Sequence, residues 1–188
     1  NQAPERGAAE SARPILNVPL PDGSTARFRL TESSVMAPAL QARYPEIRTF
    51  TGQGIDDPSA LLKCDWTPQG FHAMLFLTGK STVFIDPYSP GDTEHYIVYH
   101  KKDYVKRASQ QDFSCGVEPV AVDPEDAPGI PIQTSARSTD GQLRRYRLAL
   151  ACTGEYAGFH GGTRPLVLAA MVTTVNRISG VYEREFAV

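Results

Sequence analysis

The sequence predicts an α+β protein in which an antiparallel, β-rich part is followed by an incomplete strand–helix–strand unit. Short β-branched or aromatic runs, separated by turn residues, fill the first part of the chain. A proline-rich stretch without periodicity then separates this part from a segment with helical spacing of apolar residues. The 188 residues, 41% of them hydrophobic and 21% charged, have the composition of a globular protein.

The predicted strands follow one another at short intervals. They lie at residues 15–20, 25–30, 47–51, 61–66, 71–78, 82–85 and 95–100. The turn residues at 21–24 predict a hairpin between the first two strands, and a short helix is expected at 37–43, before Pro45. The unbroken apolar run at 96–100 predicts a strand covered on both faces. We therefore expect an antiparallel sheet or sandwich over residues 15–118, preceded by a flexible tail at 1–14.

The chain changes character after this β-rich part. Residues 119–142 contain prolines, acidic residues and small residues without periodicity, a pattern typical of an extended, exposed linker. Residues 143–188 form the second unit, with a strand predicted at 145–152 and the start of another at 186–188.

The helix of this second unit has recognisable ends. Thr163 is a suitable N-cap, Pro165 fits the first turn and Gly180 fits the C-terminal stop. The apolar stripe that we expect to be buried consists of Leu168, Met171, Val172, Val175 and Ile178. One or two strands are too few to cover that stripe. We therefore expect residues 143–188 to be the start of a larger domain, and the stripe to associate with the rest of that domain or with another copy.

Charge and hydropathy exclude two classes of function. The formal net charge is −2, and the basic residues form no stripe of the kind that binds nucleic acid. No apolar run is long enough to predict a membrane span. The polar N-terminus is not a signal peptide. If the protein is secreted, its signal peptide would already have been removed.

Two segments resemble known proteins. Residues 113–117, Phe-Ser-Cys-Gly-Val, lie between the β-rich part and the linker, and residues 146–156, Tyr-Arg-Leu-Ala-Leu-Ala-Cys-Thr-Gly-Glu-Tyr, open the second unit. Together with the helix that follows, they resemble secreted bacterial zinc metallo-endopeptidases of the reprolysin-like group of metzincins. More loosely, residues 44–47 and 84–87 look like the prodomain of that family. The resemblance implies a propeptide domain at 15–118 and a truncated catalytic domain at 143–188.

The resemblance also implies a cysteine switch at Cys115, followed by Gly116 and Val117. A catalytic zinc has three protein ligands and an open position, which a thiolate can occupy in place of water. Glycine lets the backbone pass close to the metal. The chain would thus keep its parent enzyme latent and assist its folding. The alternative for Cys115 is a buried or disulfide-bonded cysteine.

The chain itself departs from the family in lacking the zinc-binding motif. The family binds zinc through H-E-x-x-H-x-x-G-x-x-H, and none of His72, His95, His100 and His160 belongs to such a motif. The resemblance therefore implies zinc in the parent enzyme, none bound by this chain alone, and no activity of this chain alone. The partners implied are the remainder of the catalytic domain and the protein or peptide substrates of the parent.

The linker contains sites at which such a precursor could be cut. Arg137 and Ser138 form a single-arginine site, and Arg144 with Arg145 forms an alternative, dibasic one. An extended segment fits a protease cleft, so we expect maturation near Arg137. The resemblance implies that the protein is secreted or lies at the bacterial cell surface.

The remaining cysteines and histidines suggest structural roles. Cys64 is expected in the core or in a disulfide, Cys152 in buried packing, and a Cys64–Cys152 disulfide is possible. His160 is expected to be structural or capping, and His95 and His100 to be solvated or capping.

The sequence leaves two other functions open. A non-enzymatic β-rich adhesion or binding module would explain residues 15–100 equally well. A cysteine-nucleophile enzyme using Cys115 would need a nearby histidine base, which the histidine pattern does not offer.

Overall fold

The computed structural model describes residues 13–105 and 147–185, which belong to one compact unit apart from Val105. The strands are β1 (Ile15–Pro19), β2 (Thr25–Glu32), β3 (Arg48–Gly54), β4 (Leu61–Thr67), β5 (Gly70–Phe76), β6 (Val83–Pro87) and β7 (Tyr96–His100). The helices are α1 (Pro38–Arg43), α2 (Gly154–Phe159) and α3 (Arg164–Glu185), and a 3-10 turn at Lys101–Asp103 follows β7.

The seven strands form one antiparallel sheet in chain order, from β1 to β7. Each strand pairs with the next, as in Leu62 opposite Leu75 and Leu75 opposite Val83. The sheet curls, so that buried residues from β1 to β6 pack in one apolar core: Val18, Phe28, Ala60, Leu62, Cys64, Ala73, Leu75, Val83 and Ile85. We call this side of the sheet the core face. The β-rich α+β prediction is confirmed at this level.

The local signals for strands and turns are confirmed with small shifts at the ends. The hairpin at residues 15–30 forms, with the Asp22 carboxylate accepting hydrogen bonds from the backbone and hydroxyl of Ser24. The β4–β5 hairpin turns through Pro68 and Gln69, and Gly70 follows with a φ of +115° that favours glycine. Strand β7 is not covered on both faces, because Ile97 is 43% exposed.

The strand predicted at residues 145–152 is wrong over the part that the structure describes. Residues 147–153 have no regular structure, and Leu148 and Leu150 are 69% and 50% exposed. Alternation of apolar residues produces a strand only where a neighbouring strand pairs with it, and none of the described strands does so. Helix α2 follows instead, capped by the Thr153 hydroxyl, which accepts from the Tyr156 backbone N–H.

Helix α3 begins where the sequence predicts, directly after Thr163 and with Pro165 in its first turn. It does not stop at Gly180 but continues to Glu185. The buried residues are Val167, Ala169, Ala170, Val172, Thr173, Asn176 and Gly180. The predicted stripe is therefore wrong for Ile178, which is 48% exposed, and Leu168, Met171 and Val175 are only half-buried.

The sheet that the helix needs is supplied by the β-rich part of the same chain. Helix α3 packs on β4 and β5, on the side opposite the core face. Of the tail predicted at 1–14, only residues 13 and 14 are described. The linker predicted at 119–142, the strand start predicted at 186–188 and the predicted domain boundaries at 118 and 142 lie outside the described residues. That division of the chain stays a prediction.

Candidate functional site: the interface between the sheet and helix α3

Side chains that alternate with the apolar core residues along β4 point towards helix α3. Lys63, Asp65 and Thr67 are only 2%, 1% and 3% exposed, although they are polar. Burial of polar groups is costly unless they are hydrogen-bonded, so their partners define a specific contact surface. We call this surface, together with the facing side of α3, the sheet–helix interface.

The ammonium group of Lys63 is bound from two sides. Its Nζ lies 2.9 Å from the Thr51 hydroxyl and 2.9 and 2.8 Å from the two carboxylate oxygens of Glu183. The Lys63 side chain is 3% exposed and that of Glu183 is 32% exposed. The stem of Lys63 also lies close to Gly180, where an added Cβ would approach Lys63 Cγ to 2.7 Å and Phe76 Cε2 to 3.0 Å. Gly180 therefore permits close contact rather than ending the helix.

The carboxylate of Asp65 links the sheet to the middle of α3. Its Oδ1 accepts a hydrogen bond of 2.9 Å from the Thr173 hydroxyl and lies 3.0 Å from His72 Nδ1. His72 faces Asp65 across the β4–β5 pair and its side chain is 12% exposed. A buried carboxylate is thus held between a histidine of the sheet and a hydroxyl of the helix.

Two adjacent residues of α3 continue the polar contacts. The Asn176 amide donates to the Cys64 carbonyl over 3.0 Å, and the Arg177 guanidinium pairs with Asp86 at 2.5 Å. The guanidinium also lies 5.1 Å from the centre of the Phe84 ring, a cation–π distance. Asp86 accepts a further bond from the Tyr99 hydroxyl. Burial and the Asp86 carboxylate raise the pKa of Tyr99 to about 12.

Apolar packing completes the interface at the N-terminal end of α3. Ile47, Ala169 and Val172 form a second buried cluster, against which Val35, Met36, Tyr44 and Leu168 pack. Gln69, in the β4–β5 turn, donates to the Leu166 carbonyl over 3.1 Å. The helix is therefore held along most of its length.

The charged groups of this interface are paired with one another. Lys63 and Asp65 are buried, whereas the side chains of Glu183, Arg177 and Asp86 are 32%, 23% and 25% exposed. The sequence contains only a weak pattern that indicates this interface. It consists of polar residues at alternate positions of β4 and of small or polar residues at 169, 173, 176 and 180, one helical face.

The two cysteines within the described residues are both free. Cys64 is buried in the core face, as expected, whereas Cys152 is exposed and not buried packing. The possible Cys64–Cys152 disulfide is therefore absent. Burial, with a smaller contribution from the Asp65 carboxylate, raises the pKa of the Cys64 thiol, so this thiol is unreactive in the folded state.

A chain in which Cys115 and Cys152 are replaced by Ser tests this assignment, because Cys64 is then its only thiol. Ellman's reagent is expected to release no colour from the native protein and to react with Cys64 once guanidinium unfolds the chain. The reason is that the reagent needs an accessible thiolate. Complete labelling under native conditions would show that Cys64 is exposed and would contradict its packing in the core.

The described histidines do not form a zinc site. His72 contacts Asp65, His95 contacts Asp92, and His100 Nδ1 lies 3.4 Å from the Ser81 carbonyl. His160 is the C-cap of α2 and packs on Tyr156, in line with the predicted capping role. Within residues 13–105 and 147–185, no group of three or more His, Cys, Asp or Glu could hold a metal. These residues therefore do not fit a catalytic zinc centre.

The residues predicted for the cysteine switch and for maturation fall outside the part of the chain that the structure describes. They are Cys115, Gly116, Val117, Arg137, Ser138, Arg144 and Arg145. Their roles stay predictions.

Comparisons with family models, with curated proteins and with solved structures gave no match for this chain. Among the described helices, none has the length and apolar character required to cross a bilayer.

Proposed function

We propose that this chain is the propeptide region of a secreted zinc metallo-endopeptidase precursor, together with the start of its catalytic domain. It keeps the protease latent through the Cys115 thiolate and assists folding of the catalytic domain. The chain lacks the H-E-x-x-H motif and is inactive alone. Zinc, held by that motif in the parent enzyme, would supply the Lewis acid of peptide hydrolysis.

The sheet–helix interface carries this proposal. The segment that resembles the first catalytic helix, α3, is bound by the sheet that resembles the propeptide. A region that inhibits an enzyme and assists its folding must recognise part of that enzyme specifically. Contacts such as Asp65–Thr173 and Lys63–Glu183 give that recognition in a defined register.

The opposite side of α3 supports the proposal in a second way. Ile178, Val181 and Tyr182 are 48%, 36% and 50% exposed. In the precursor, the remainder of the catalytic domain would cover these side chains, because burial of apolar surface is favourable. Helix α3 would then lie between the propeptide sheet and the enzyme to which it belongs.

The coding sequence downstream of Val188 tests the proposal directly. We expect the motif H-E-x-x-H-x-x-G-x-x-H within about 150 residues, one domain's length. A stop codon, or a continuation without that motif, would contradict the proposal and leave a β-rich binding module as the better explanation of the chain.

The role of Cys115 is tested by a Cys115→Ala variant of the full precursor. Because the thiolate would no longer occupy the open zinc position, the uncut variant is expected to cleave a peptide substrate, whereas the uncut parent does not. Cys152→Ala is the matched control, since Cys152 is exposed and has no predicted zinc contact, and it should stay latent. Equal latency of all three proteins would exclude the cysteine switch.

A further inference from the structure

We infer that the α3-facing side of the sheet is a docking surface that keeps α3 bound after the chain between them has been cut. Residues 13–105 and 147–185 would then remain together as a non-covalent complex. In the precursor, this inference rests on the proposed function; in the chain itself, it concerns two pieces of one polypeptide and is independent of any activity.

The contacts that carry the inference all join residues far apart in the sequence. The Lys63–Glu183 bond spans 120 positions, Cys64–Asn176 spans 112, Asp65–Thr173 spans 108 and Asp86–Arg177 spans 91. None of them depends on the peptide bonds between residues 105 and 147. Cutting the chain there therefore breaks none of these four contacts.

Burial of Lys63, Asp65 and Asn176 gives their contacts more strength than surface pairs have. Asp65 and Asn176 are each 1% exposed, and Lys63 is 2% exposed, so water competes weakly for their hydrogen bonds. Hydrogen bonds to charged groups contribute more than neutral ones, and two of these contacts are ion pairs. The apolar cluster of Ile47, Ala169 and Val172 adds packing across the same boundary.

In a precursor, activation would then require two events: cleavage of the connecting chain and release of the propeptide sheet from α3. Cleavage near Arg137 would cut the connection but leave the propeptide sheet bound to α3. Release would then need a further event, such as dissociation on dilution or a second cut within the sheet.

The experiment uses the full chain with the recognition sequence of a highly specific viral protease inserted after Arg137. A denaturing gel first verifies complete cutting, and gel filtration under native conditions then tests whether the pieces separate. We expect both pieces in one peak at the elution volume of the uncut chain, and separate peaks in guanidinium. Separate peaks under native conditions would overturn the inference.

Two glycine variants of the same cleavable chain localise the contact. Gly180→Leu places a side chain where even a Cβ would lie 2.7 Å from Lys63 and 3.0 Å from Phe76, so its cut pieces are expected to separate. Gly158→Leu is the matched control, because a Cβ at Gly158 meets nothing within 4 Å, and its pieces should stay together. Co-elution of the Gly180→Leu pieces would show that they are held by something other than this interface.

A milder variant covers the case in which Gly180→Leu fails to fold. Arg177→Gln removes the ion pair with Asp86 while keeping a good helix former. Loss of one charge-assisted bond corresponds to a roughly tenfold or larger increase in the dissociation constant of the cut pieces. An unchanged dissociation constant would contradict this mode of docking.

Separation of the cut pieces of the parent chain would overturn the docking inference but not the zymogen proposal. The downstream coding sequence and the Cys115→Ala variant test that proposal independently.

Discussion

Glu183→Ala is expected to destabilise the folded chain by about 3 kcal/mol, the cost of leaving one partner of a buried ion pair behind. The variant removes the carboxylate that lies 2.8 Å from Lys63 Nζ. The ammonium of Lys63, whose side chain is 3% exposed, would keep the Thr51 hydroxyl but lose its opposite charge. Urea unfolding followed by circular dichroism measures the change in the free energy of unfolding.

Two further variants separate the ion pair from a general effect on the helix. Glu185→Ala removes a carboxylate of the same helix that is 60% exposed, and a change below about 0.5 kcal/mol is expected there. The double variant Lys63→Met/Glu183→Leu removes both charges and should recover most of the lost stability. If Glu183→Ala and Glu185→Ala cost the same, the Lys63–Glu183 pair does not hold the helix on the sheet.

Asp65→Ala is expected to cost about 3 kcal/mol as well, for a different reason. Asp65 is 1% exposed and its Oδ1 serves both Thr173 and His72. Without the carboxylate, two polar groups lose a partner in a place that water reaches poorly, and each unsatisfied group costs about 1–3 kcal/mol. The same unfolding measurement applies.

Thr173→Val is the matched variant for this site because it keeps the shape of the side chain and removes only the hydroxyl. It should lower the free energy of unfolding by about 1 kcal/mol, the net value of one hydrogen bond. A further cost arises because the buried Asp65 carboxylate loses one of its two hydrogen-bond partners. We therefore expect Asp65→Ala to lower the free energy of unfolding more than Thr173→Val does. Equal stability of Asp65→Ala and the parent would mean that α3 is not docked on Asp65.

The strands are predictable because their signals are local. Turn residues such as Asp22 and Gly70 reverse the chain within a few positions, and the β-branched and aromatic runs between the turns need only a neighbouring strand. Since each strand of this sheet pairs with the next in sequence, the neighbour is always close along the chain. The same reasoning fails at residues 147–152, with which none of the described strands pairs.

The buried face of α3 differs from the predicted one because apolar spacing is an incomplete signal for burial. Leu168, Met171 and Ile178 recur at helical intervals, yet the side that packs on the sheet carries Thr173, Asn176 and Gly180. Those residues are buried because Asp65, the Cys64 carbonyl and Lys63 lie opposite them. The partners are more than 100 positions away in the sequence, so nothing within the helix itself indicates them.

The sequence by itself determined the β-rich α+β class, the approximate positions of the strands, the hairpin at residues 15–30 and the start of helix α3, because each depends on residues within a few positions of one another. Only the tertiary structure decided the order of the strands in the sheet, which face of α3 is buried, that β4 and β5 supply its sheet, and that Cys152 is exposed. Burial and pairing depend on what lies opposite a side chain in space. Opposite Lys63 and Asp65 lies helix α3, more than 100 positions away in the sequence. These two polar strand residues are therefore buried at the centre of the sheet–helix interface.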